Sequence, residues 1–206
     1  MTAPRVDPAA LSSAVDALGA GRLVLFPTET VFGLGAALRD ERAIRLLYDL
    51  KRRPLSRPLL AHVADEAMAR SLVSIWPDRA AALARRFWPG PLAIVLPRAE
   101  CVPALVAGGG DNIGLRCPDH PAALALIHAA GGPIAATSAN AHGEPPVTTA
   151  DEARALFPAD LVEVLDSPPA PTGTPSTVVL LGATPAEDRV LREGPIPAAD
   201  LGVEPD

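Results

Sequence analysis

Aromatic residues and cysteines are scarce in this chain. Of its 206 residues, 3% are Phe, Trp or Tyr, and only Cys101 and Cys117 are cysteines. Two cysteines cannot form a four-cysteine zinc site, and such low usage is typical of proteins in a reducing compartment. Because aromatic side chains are few, Leu, Val, Ile and Ala must fill the core. The same scarcity disfavours RNA recognition by base stacking on an exposed sheet.

Positive net charge and long apolar runs are also missing. The formal net charge is −6, whereas a protein that binds an extended nucleic acid is usually basic. A compact basic pocket for one nucleotide remains compatible with this charge, because local clustering matters more than the sum. No stretch approaches the roughly 18 apolar residues that cross a bilayer, and the N-terminus lacks the apolar core of a secretory signal. We therefore expect a cytoplasmic protein with no membrane association.

Apolar periodicity predicts helices that alternate with strands. Leu11, Ala14 and Leu18 follow helical spacing after Asp7, a candidate N-cap, and Pro8 at the first helical position. The other predicted helices cover 40–50, 78–87, 119–130 with Asp119 as the N-cap, and 149–156. The predicted strands cover 23–26, 59–63, 92–96, 112–116, 133–137, 162–165, 176–181 and 189–192. This alternation indicates an α/β fold with a layered sheet.

The simplest domain interpretation is one domain over residues 1–206. We expect its core at about 8–196 and a loose tail at 197–206. Residues 27–36 have the composition of a polar, glycine-containing loop. Residues 51–58 cannot form a regular element, because two prolines interrupt them.

This second segment, which we name the cationic loop (residues 51–58), carries Lys51, Arg52, Arg53 and Arg57. Arginine offers a planar fork to phosphate oxygens and lysine a compact charge, so this spacing suits a polyanion such as a triphosphate. The structural alternative is a solvated basic turn.

A second set of polar residues follows the predicted strand 133–137. We name Ser138, Ala139 and Asn140 the SAN turn. Ligands of open α/β sheets bind at the carboxyl ends of strands, so these side chains can contact a phosphate or nucleoside. An ordinary turn with a capping Ser or Asn is the alternative. A serine nucleophile is disfavoured, because the G-x-S-x-G pattern is absent.

The remaining candidates are weaker when taken alone. Thr28, Glu29 and Thr30 follow a strand, but neither the P-loop pattern nor the G-x-G-x-x-G pattern is present. His62 is a core residue or a ligand contact. Arg116, at the end of a predicted strand, is suited to a bidentate carboxylate contact or to a salt bridge. The histidines show no metal-binding pattern, so we predict no metal ligand.

Taken together, these segments resemble the YrdC-like family, specifically its short TsaC-type threonylcarbamoyl-AMP synthases. The matching motifs, in order, are PTETVFGLGA (27–36), Lys51-x-Arg53-Pro54 with Pro58-Leu59 and His62, WPGPL (88–92), IGLRCPDHP (113–121), TSAN (137–140), PSTVV (175–179) and LREG (191–194). Each motif is weak alone, but together they occur in the family order over nearly the whole chain.

The resemblance implies a twisted mixed β-sheet flanked by helices around a basic cavity, and it assigns roles to individual residues. The family's catalytic tetrad matches Lys51, Arg53, Ser138 and Asn140. The expected ATP-binding residues are Lys51, Arg53, Arg57, Asn112, Ser138, Pro146 and Arg192, and the expected threonine-binding residues are Thr30, His62, Arg116 and Ser176.

The implied reaction forms threonylcarbamoyl-AMP and pyrophosphate from L-threonine, bicarbonate or CO2, and ATP. Magnesium is expected to accompany the triphosphate. The expected partner is a TsaD-type transferase, with tRNA bound indirectly or weakly. Phe32, Ala93 and His142 depart from the usual motifs, which leaves a YciO-like paralogue open. An RNA-binding module that uses the same cavity is the other alternative.

Overall fold

The fold is a mixed sheet with helices on both faces. The computed structural model describes residues 6–140, 144 and 147–203. In this part of the chain the strands are β1 (Leu23–Pro27), β2 (Phe32–Ala37), β3 (Leu60–His62), β4 (Leu92–Pro97), β5 (Asn112–Arg116), β6 (Ile134–Ser138), β7 (Val162–Val164), β8 (Thr177–Leu180) and β9 (Arg189–Arg192). They form one nine-stranded sheet in the order β7-β1-β2-β6-β3-β5-β4-β8-β9. Parallel and antiparallel pairs both occur, so the predicted mixed sheet is confirmed.

The helices begin largely where their capping residues predict. They are α1 (Pro8–Gly19), α2 (Glu41–Leu50), α3 (Glu66–Arg70), α4 (Asp78–Phe87), α5 (Pro121–Ala129), α6 (Ala150–Leu156) and α7 (Ala198–Leu201), with a 3-10 turn at Pro185–Glu187. The Asp7 carboxylate accepts the Ala9 N–H at 3.1 Å, and Asp40 accepts two N–H groups at the start of α2. Within the described residues, no helix is long and apolar enough to span a membrane.

Side-chain alternation along the strands divides the core into two layers. On β1, Val24 and Phe26 pack with α1 and α5, whereas Leu23 and Leu25 belong to the layer that contains residues of α2, α3, α4 and α6. Successive strand residues point to opposite faces, so these two clusters cover opposite faces of the sheet. We name the first the α1–α5 face.

The prediction of a loop over the whole of 27–36 was wrong, because residues from Phe32 onward form β2. Gly35 on β2 makes room for its neighbours. A Cβ atom there would lie 2.5 Å from the Ile134 methyl group and 2.9 Å from the Phe26 ring. The glycines therefore permit close side-chain packing inside a strand, which composition alone does not distinguish from a loop.

Two other predictions also failed. The N-cap of α5 is His120, not Asp119, because the His120 Nδ1 accepts the Ala122 N–H at 3.2 Å. The segment expected to be a loose tail contains α7, and Leu201 and Val203 are buried. An apolar pair in so short a segment gave no periodic signal.

Candidate active site

A cavity of about 340 Å³ lies on the α1–α5 face, over the central strands of the sheet. Alternation places Leu60 and His62 of β3, Arg116 of β5 and Val178 of β8 on this face, away from the apolar layer formed by their neighbours. The volume falls in the usual range for a small-molecule site. The predicted residues that line the cavity are Arg53, Arg57, His62, Arg116, Ser138, Ser176 and Arg192.

The cavity is cationic. Arg53, Arg57, Arg116 and Arg192 all line it, and none of its lining residues in the described part of the chain is acidic. This local charge contrasts with the net charge of −6 for the whole chain. Several guanidinium groups around one cavity favour a ligand that carries more than one negative charge.

The end of α2 sets the direction of the cationic loop. Arg52 has a positive φ of 47°. Its N–H donates to the Asp49 carbonyl at 3.0 Å, and the Arg53 N–H donates to the Tyr48 carbonyl at 2.9 Å. These two bonds around a left-handed residue form a Schellman motif, which ends the helix. The chain therefore turns sharply between Lys51 and Arg53.

Side chains then hold the cationic loop in place. Arg53 donates from Nε to the Arg57 carbonyl at 3.2 Å and from Nη2 to the Pro58 carbonyl at 2.7 Å. The buried Tyr48 hydroxyl donates to the same Arg57 carbonyl at 2.9 Å and lies 3.0 Å from the Leu105 carbonyl. Burial lowers the pKa of Arg53 from its ordinary value. Contacts within the loop and from the Tyr48 side chain of α2 therefore order it.

Lys51 joins the cationic loop to the SAN turn. Its Nζ donates to the Ser138 carbonyl at 2.6 Å and to the Asn140 carbonyl, and it lies 3.5 Å from the Asn140 Oδ1. The Ser138 hydroxyl donates to the same Oδ1 at 2.5 Å. Burial, with a smaller effect from Arg53, lowers the pKa of Lys51 to about 8. Two segments that are far apart in the sequence are therefore brought together.

Arg116 is the most buried cation of the cavity. It is 3% exposed, and its Nη2 lies 2.9 Å from a carboxylate oxygen of Glu29. The same Nη2 donates to the Thr30 hydroxyl at 2.7 Å. Burial lowers the pKa of Arg116, and Glu29 opposes that effect. The salt bridge considered for this arginine is therefore present, and its side chain also lines the cavity.

His62 is buried beside Arg116 and remains neutral. Its ring meets Phe26 edge-on, with centroids 5.6 Å apart. Burial, and then the nearby Arg116 charge, lower the pKa of His62 to about 3. Within the described residues, its Nδ1 has no hydrogen-bond partner. A neutral imidazole can accept or donate one hydrogen bond to a bound ligand.

Arg192 and Ser176 form the opposite wall. Arg192 donates from Nε to the Ser176 carbonyl at 3.0 Å and from Nη2 to the Ser176 hydroxyl at 3.2 Å. Burial and the Arg116 charge lower the pKa of Arg192. Gly194 lies against this wall, because a Cβ there would be 2.4 Å from the Pro175 carbonyl oxygen.

Some predicted site residues lie elsewhere. Asn112 is exposed at the opposite end of β5 from Arg116, and it does not line the cavity. Thr30 does not line the cavity itself, but its hydroxyl contacts two residues that do, Arg116 at 2.7 Å and Thr28 at 2.9 Å. Pro146 lies outside the described residues. Asn140 supports the turn, and its Nδ2 donates to the Glu144 carbonyl at 2.6 Å.

The sequence analysis did not identify the apolar wall of the cavity, nor Tyr48 as the residue that holds the Arg57 carbonyl of the cationic loop. Leu60, Val178 and Leu191 line the cavity, but leucine and valine in strands have the pattern of ordinary core residues. Leu191 is 57% exposed, on an edge strand. The described residues contain no group of three or more His, Cys, Asp or Glu that could hold a metal ion.

Known proteins share both the sequence and the fold. A threonylcarbamoyl-AMP synthase from Pyrococcus abyssi is 41% identical over 181 residues, which cover 88% of this chain and 53% of that protein. The crystal structure of P. abyssi Sua5 complexed with L-threonine superposes with a TM-score of 0.89 at 37% identity, covering 96% of this chain and 57% of that one. The structure of Escherichia coli YciO matches with a TM-score of 0.81 at 21% identity, covering 95% of this chain and 94% of that one, a likeness of fold alone.

The chain spans little more than half the length of the two P. abyssi chains. The sequence profile of the family Sua5_yciO_yrdC, described as telomere recombination, matches residues 16–194. That match covers most of the chain, and the fold and the order of the motifs agree with it. The chain therefore belongs to the Sua5/YciO/YrdC family.

Proposed function

We propose that this protein is a nucleotidyltransferase that forms threonylcarbamoyl-AMP and pyrophosphate from L-threonine, bicarbonate or CO2, and ATP. The observation that carries the proposal is a single cavity lined by four arginines and by no acidic side chain of the described residues. ATP and threonine together bring a triphosphate and a carboxylate, which such a cavity can bind. The similarity to a threonylcarbamoyl-AMP synthase at 41% identity supports the same reaction.

The triphosphate is proposed to lie between the cationic loop and the SAN turn. Arg53 and Arg57 line this side of the cavity with Ser138, and Arg192 lines the opposite wall. Lys51 adds positive charge behind the turn. Asn112 and Pro146 keep their expected ATP-binding roles as part of the proposal. Asn112 lies at the far end of β5, so its contact would be with a distant part of the nucleotide.

The amino acid is proposed to lie against Arg116. Burial strengthens the electrostatic attraction between this guanidinium and a bound anion, and the Glu29 carboxylate is its ion-pair partner. A threonine carboxylate on the cavity side would compensate the like charges of Arg116 and Arg192, since burial and the Arg116 charge lower the pKa of Arg192. Neutral His62 and the Ser176 hydroxyl are suited to the remaining polar atoms of threonine. The L-threonine bound to P. abyssi Sua5 supports this choice of amino acid.

The reaction then needs positioning and charge stabilisation, without a covalent enzyme intermediate. The threonine amine adds to CO2 and loses a proton, which gives a carbamate. A carbamate oxygen attacks the α-phosphorus, the bond to the bridging oxygen of the β-phosphate breaks, and pyrophosphate leaves. Negative charge grows on the phosphoryl oxygens, so the arginines placed beforehand stabilise the transition state. Holding the reactants in one cavity lowers the entropic part of the barrier.

The cavity-lining residues that the structure describes offer Mg²⁺ no carboxylate ligand. No described lining residue is acidic, and Mg²⁺ prefers oxygen ligands such as carboxylates and phosphates. Any magnesium would therefore enter with the triphosphate that coordinates it, and we assign it no step.

The product is a mixed anhydride, which a second enzyme must consume by transfer of the threonylcarbamoyl group. We propose a TsaD-type transferase acting on tRNA in the cytoplasm as that enzyme, with weak or indirect contact between this chain and tRNA. The arginines line a cavity of about 340 Å³, which has the size of a small-molecule site and favours a small ligand over an RNA strand.

The test is turnover with identification of the product. Purified protein is incubated with ATP, L-threonine and bicarbonate, and pyrophosphate and nucleotides are measured by enzyme assay and mass spectrometry. We expect pyrophosphate release that requires both threonine and bicarbonate, and a product with the mass of threonylcarbamoyl-AMP. The matched controls omit one substrate at a time.

Other outcomes would contradict the proposal. ATP binding without threonine-dependent pyrophosphate release would favour the YciO-like alternative. A salt-dependent shift of RNA without ATP turnover would favour the RNA-binding alternative.

A further inference from the structure

The ammonium group of Lys51 lies behind the cavity wall. Lys51 is 6% exposed and caps the C-terminus of α2. It is not among the described residues that line the cavity, whereas Arg53 and Arg57 of the same loop are. Its position thus differs from that of the two arginines, although all three belong to one basic cluster in the sequence.

The SAN turn supplies the hydrogen-bond acceptors around this ammonium. A protonated lysine has three N–H donors and no acceptor. The Lys51 Nζ contacts the carbonyl oxygens of Ser138 and Asn140 and, at 3.5 Å, the Asn140 Oδ1. Two donors are taken by the carbonyl oxygens and the third faces the Asn140 Oδ1, so the ammonium is directed at the turn and not into the cavity.

The turn needs such a cation to keep its shape. Two backbone carbonyl oxygens converge on one point, and they would repel each other without a donor between them. The turn is fixed to β2 by the Ala139 N–H, which donates to the Phe32 carbonyl at 2.8 Å. This geometry of the turn places Ser138 in the wall of the cavity.

We propose that Lys51 is a positioning residue, which holds the SAN turn against the cavity and does not contact the nucleotide. Arg53, Arg57 and Arg192 are then the groups that touch its phosphates. The ligand in this statement rests on the proposed function. The positioning of the SAN turn by Lys51 is independent of the proposed function, because it follows from hydrogen bonds within the protein.

Nucleotide affinities separate positioning from phosphate contact. The dissociation constants of ATP, ADP and AMP are measured for wild type, Lys51→Met and Arg57→Ala without threonine. A misplaced turn weakens the binding of all three nucleotides, so we expect each dissociation constant to rise about tenfold in Lys51→Met. The dissociation constant of AMP divided by that of ATP should change less than about threefold. Arg57→Ala is the control for a phosphate contact and should lower that ratio by about tenfold. A tenfold fall of the ratio in Lys51→Met would overturn the proposal.

Hydrogen exchange tests the same inference without a ligand. The Ala139 amide reports the order of the turn, because it is bonded to Phe32. We expect exchange in the segment 134–140 to be about tenfold faster or more in Lys51→Met, with unchanged exchange in α1. Lys51→Arg keeps the charge but not the tetrahedral donors, and it should show the same direction of change. Unchanged exchange in both variants would overturn the proposal, even if wild type bound no ATP and the proposed function failed.

Discussion

Arg53 has two tasks at the residue scale, since it orders the cationic loop and lines the cavity. The Arg53→Ala variant removes a preplaced charge from the transition state. We expect threonine-dependent pyrophosphate release to fall by about 10²–10³, the usual cost of one lost electrostatic donor.

Arg52→Ala is the matched control for this prediction. Arg52 is the exposed neighbour in the same loop and does not line the cavity. The Arg52→Ala variant should release pyrophosphate at a rate within about threefold of wild type, because most surface substitutions have small effects. Near-normal release by Arg53→Ala would remove that residue from the site.

The protonation state of Lys51 predicts a pH dependence of ATP binding. Its pKa is about 8, below the ordinary value, because it is buried and Arg53 lies nearby. The empty protein therefore loses this charge as pH rises through 8, and with it one donor to the SAN turn. We expect the affinity for ATP to fall by about tenfold or more between pH 7.5 and 9.5, as measured by titration calorimetry. In Lys51→Arg the charge persists over this range, and a fall of the same size in that variant would contradict the assignment.

At the scale of elements, a glycine fixes the distance between β8 and β9. A Cβ atom at Gly194 would lie 2.6 Å from the Thr177 nitrogen and 2.7 Å from the Ser176 carbonyl carbon. These are backbone atoms, which cannot rotate away. We expect Gly194→Ala to lower the free energy of unfolding by about 1–3 kcal/mol and to weaken threonine binding, because Ser176 must move. Urea unfolding measures the first effect and calorimetry the second.

Gly132→Ala is the control for that substitution. Nothing lies within 4 Å of a Cβ atom at Gly132, so its stability should change by less than about 0.5 kcal/mol. Equal effects of the two substitutions would mean that the close approach of β8 and β9 is not what requires Gly194.

The elements show how far a sequence predicts structure. Caps such as Asp7 and Asp40 act within one helical turn, and the predicted helix starts there were correct within one residue. His120 was missed because histidine seldom caps a helix, and β2 was missed because its glycines serve tertiary packing. Local rules identify local causes, whereas the His120 Nε2 also lies 3.1 Å from the Pro169 carbonyl oxygen and Gly35 of β2 packs against Ile134, both distant in the chain.

The same limit applies to the site. The sequence predicted that the cationic loop and the SAN turn meet, but only through resemblance to a family. That Lys51 points to carbonyl oxygens and that Arg116 pairs with Glu29 depends on strands brought together by the sheet. No spacing in the sequence encodes those directions.

At the scale of the whole molecule, buried neutral histidines couple stability to acid. The pKa of His62 is about 3 in the folded protein, and burial also lowers the pKa of His120. The unfolded chain binds protons at its histidines near pH 6.5, so it holds more protons than the folded state below that pH, and stability falls as pH falls. We expect the free energy of unfolding to fall by about 2 kcal/mol between pH 7.5 and 5 because of His62 alone.

Urea unfolding at these two pH values measures that loss. His62→Gln should remove most of its share, whereas His128→Gln, which changes an exposed histidine, should leave the loss as in wild type. A loss that is the same in wild type and His62→Gln would show that the ring is protonated in the folded protein.

We propose that one cavity, lined by the cationic loop and the SAN turn, binds ATP and threonine side by side. A crystal structure with L-threonine and a non-hydrolysable ATP analogue tests it most directly. We expect the triphosphate against Arg53 and Arg57, and the threonine carboxylate within hydrogen-bonding distance of Arg116. Either ligand bound on another face of the sheet, with this cavity empty, would contradict it.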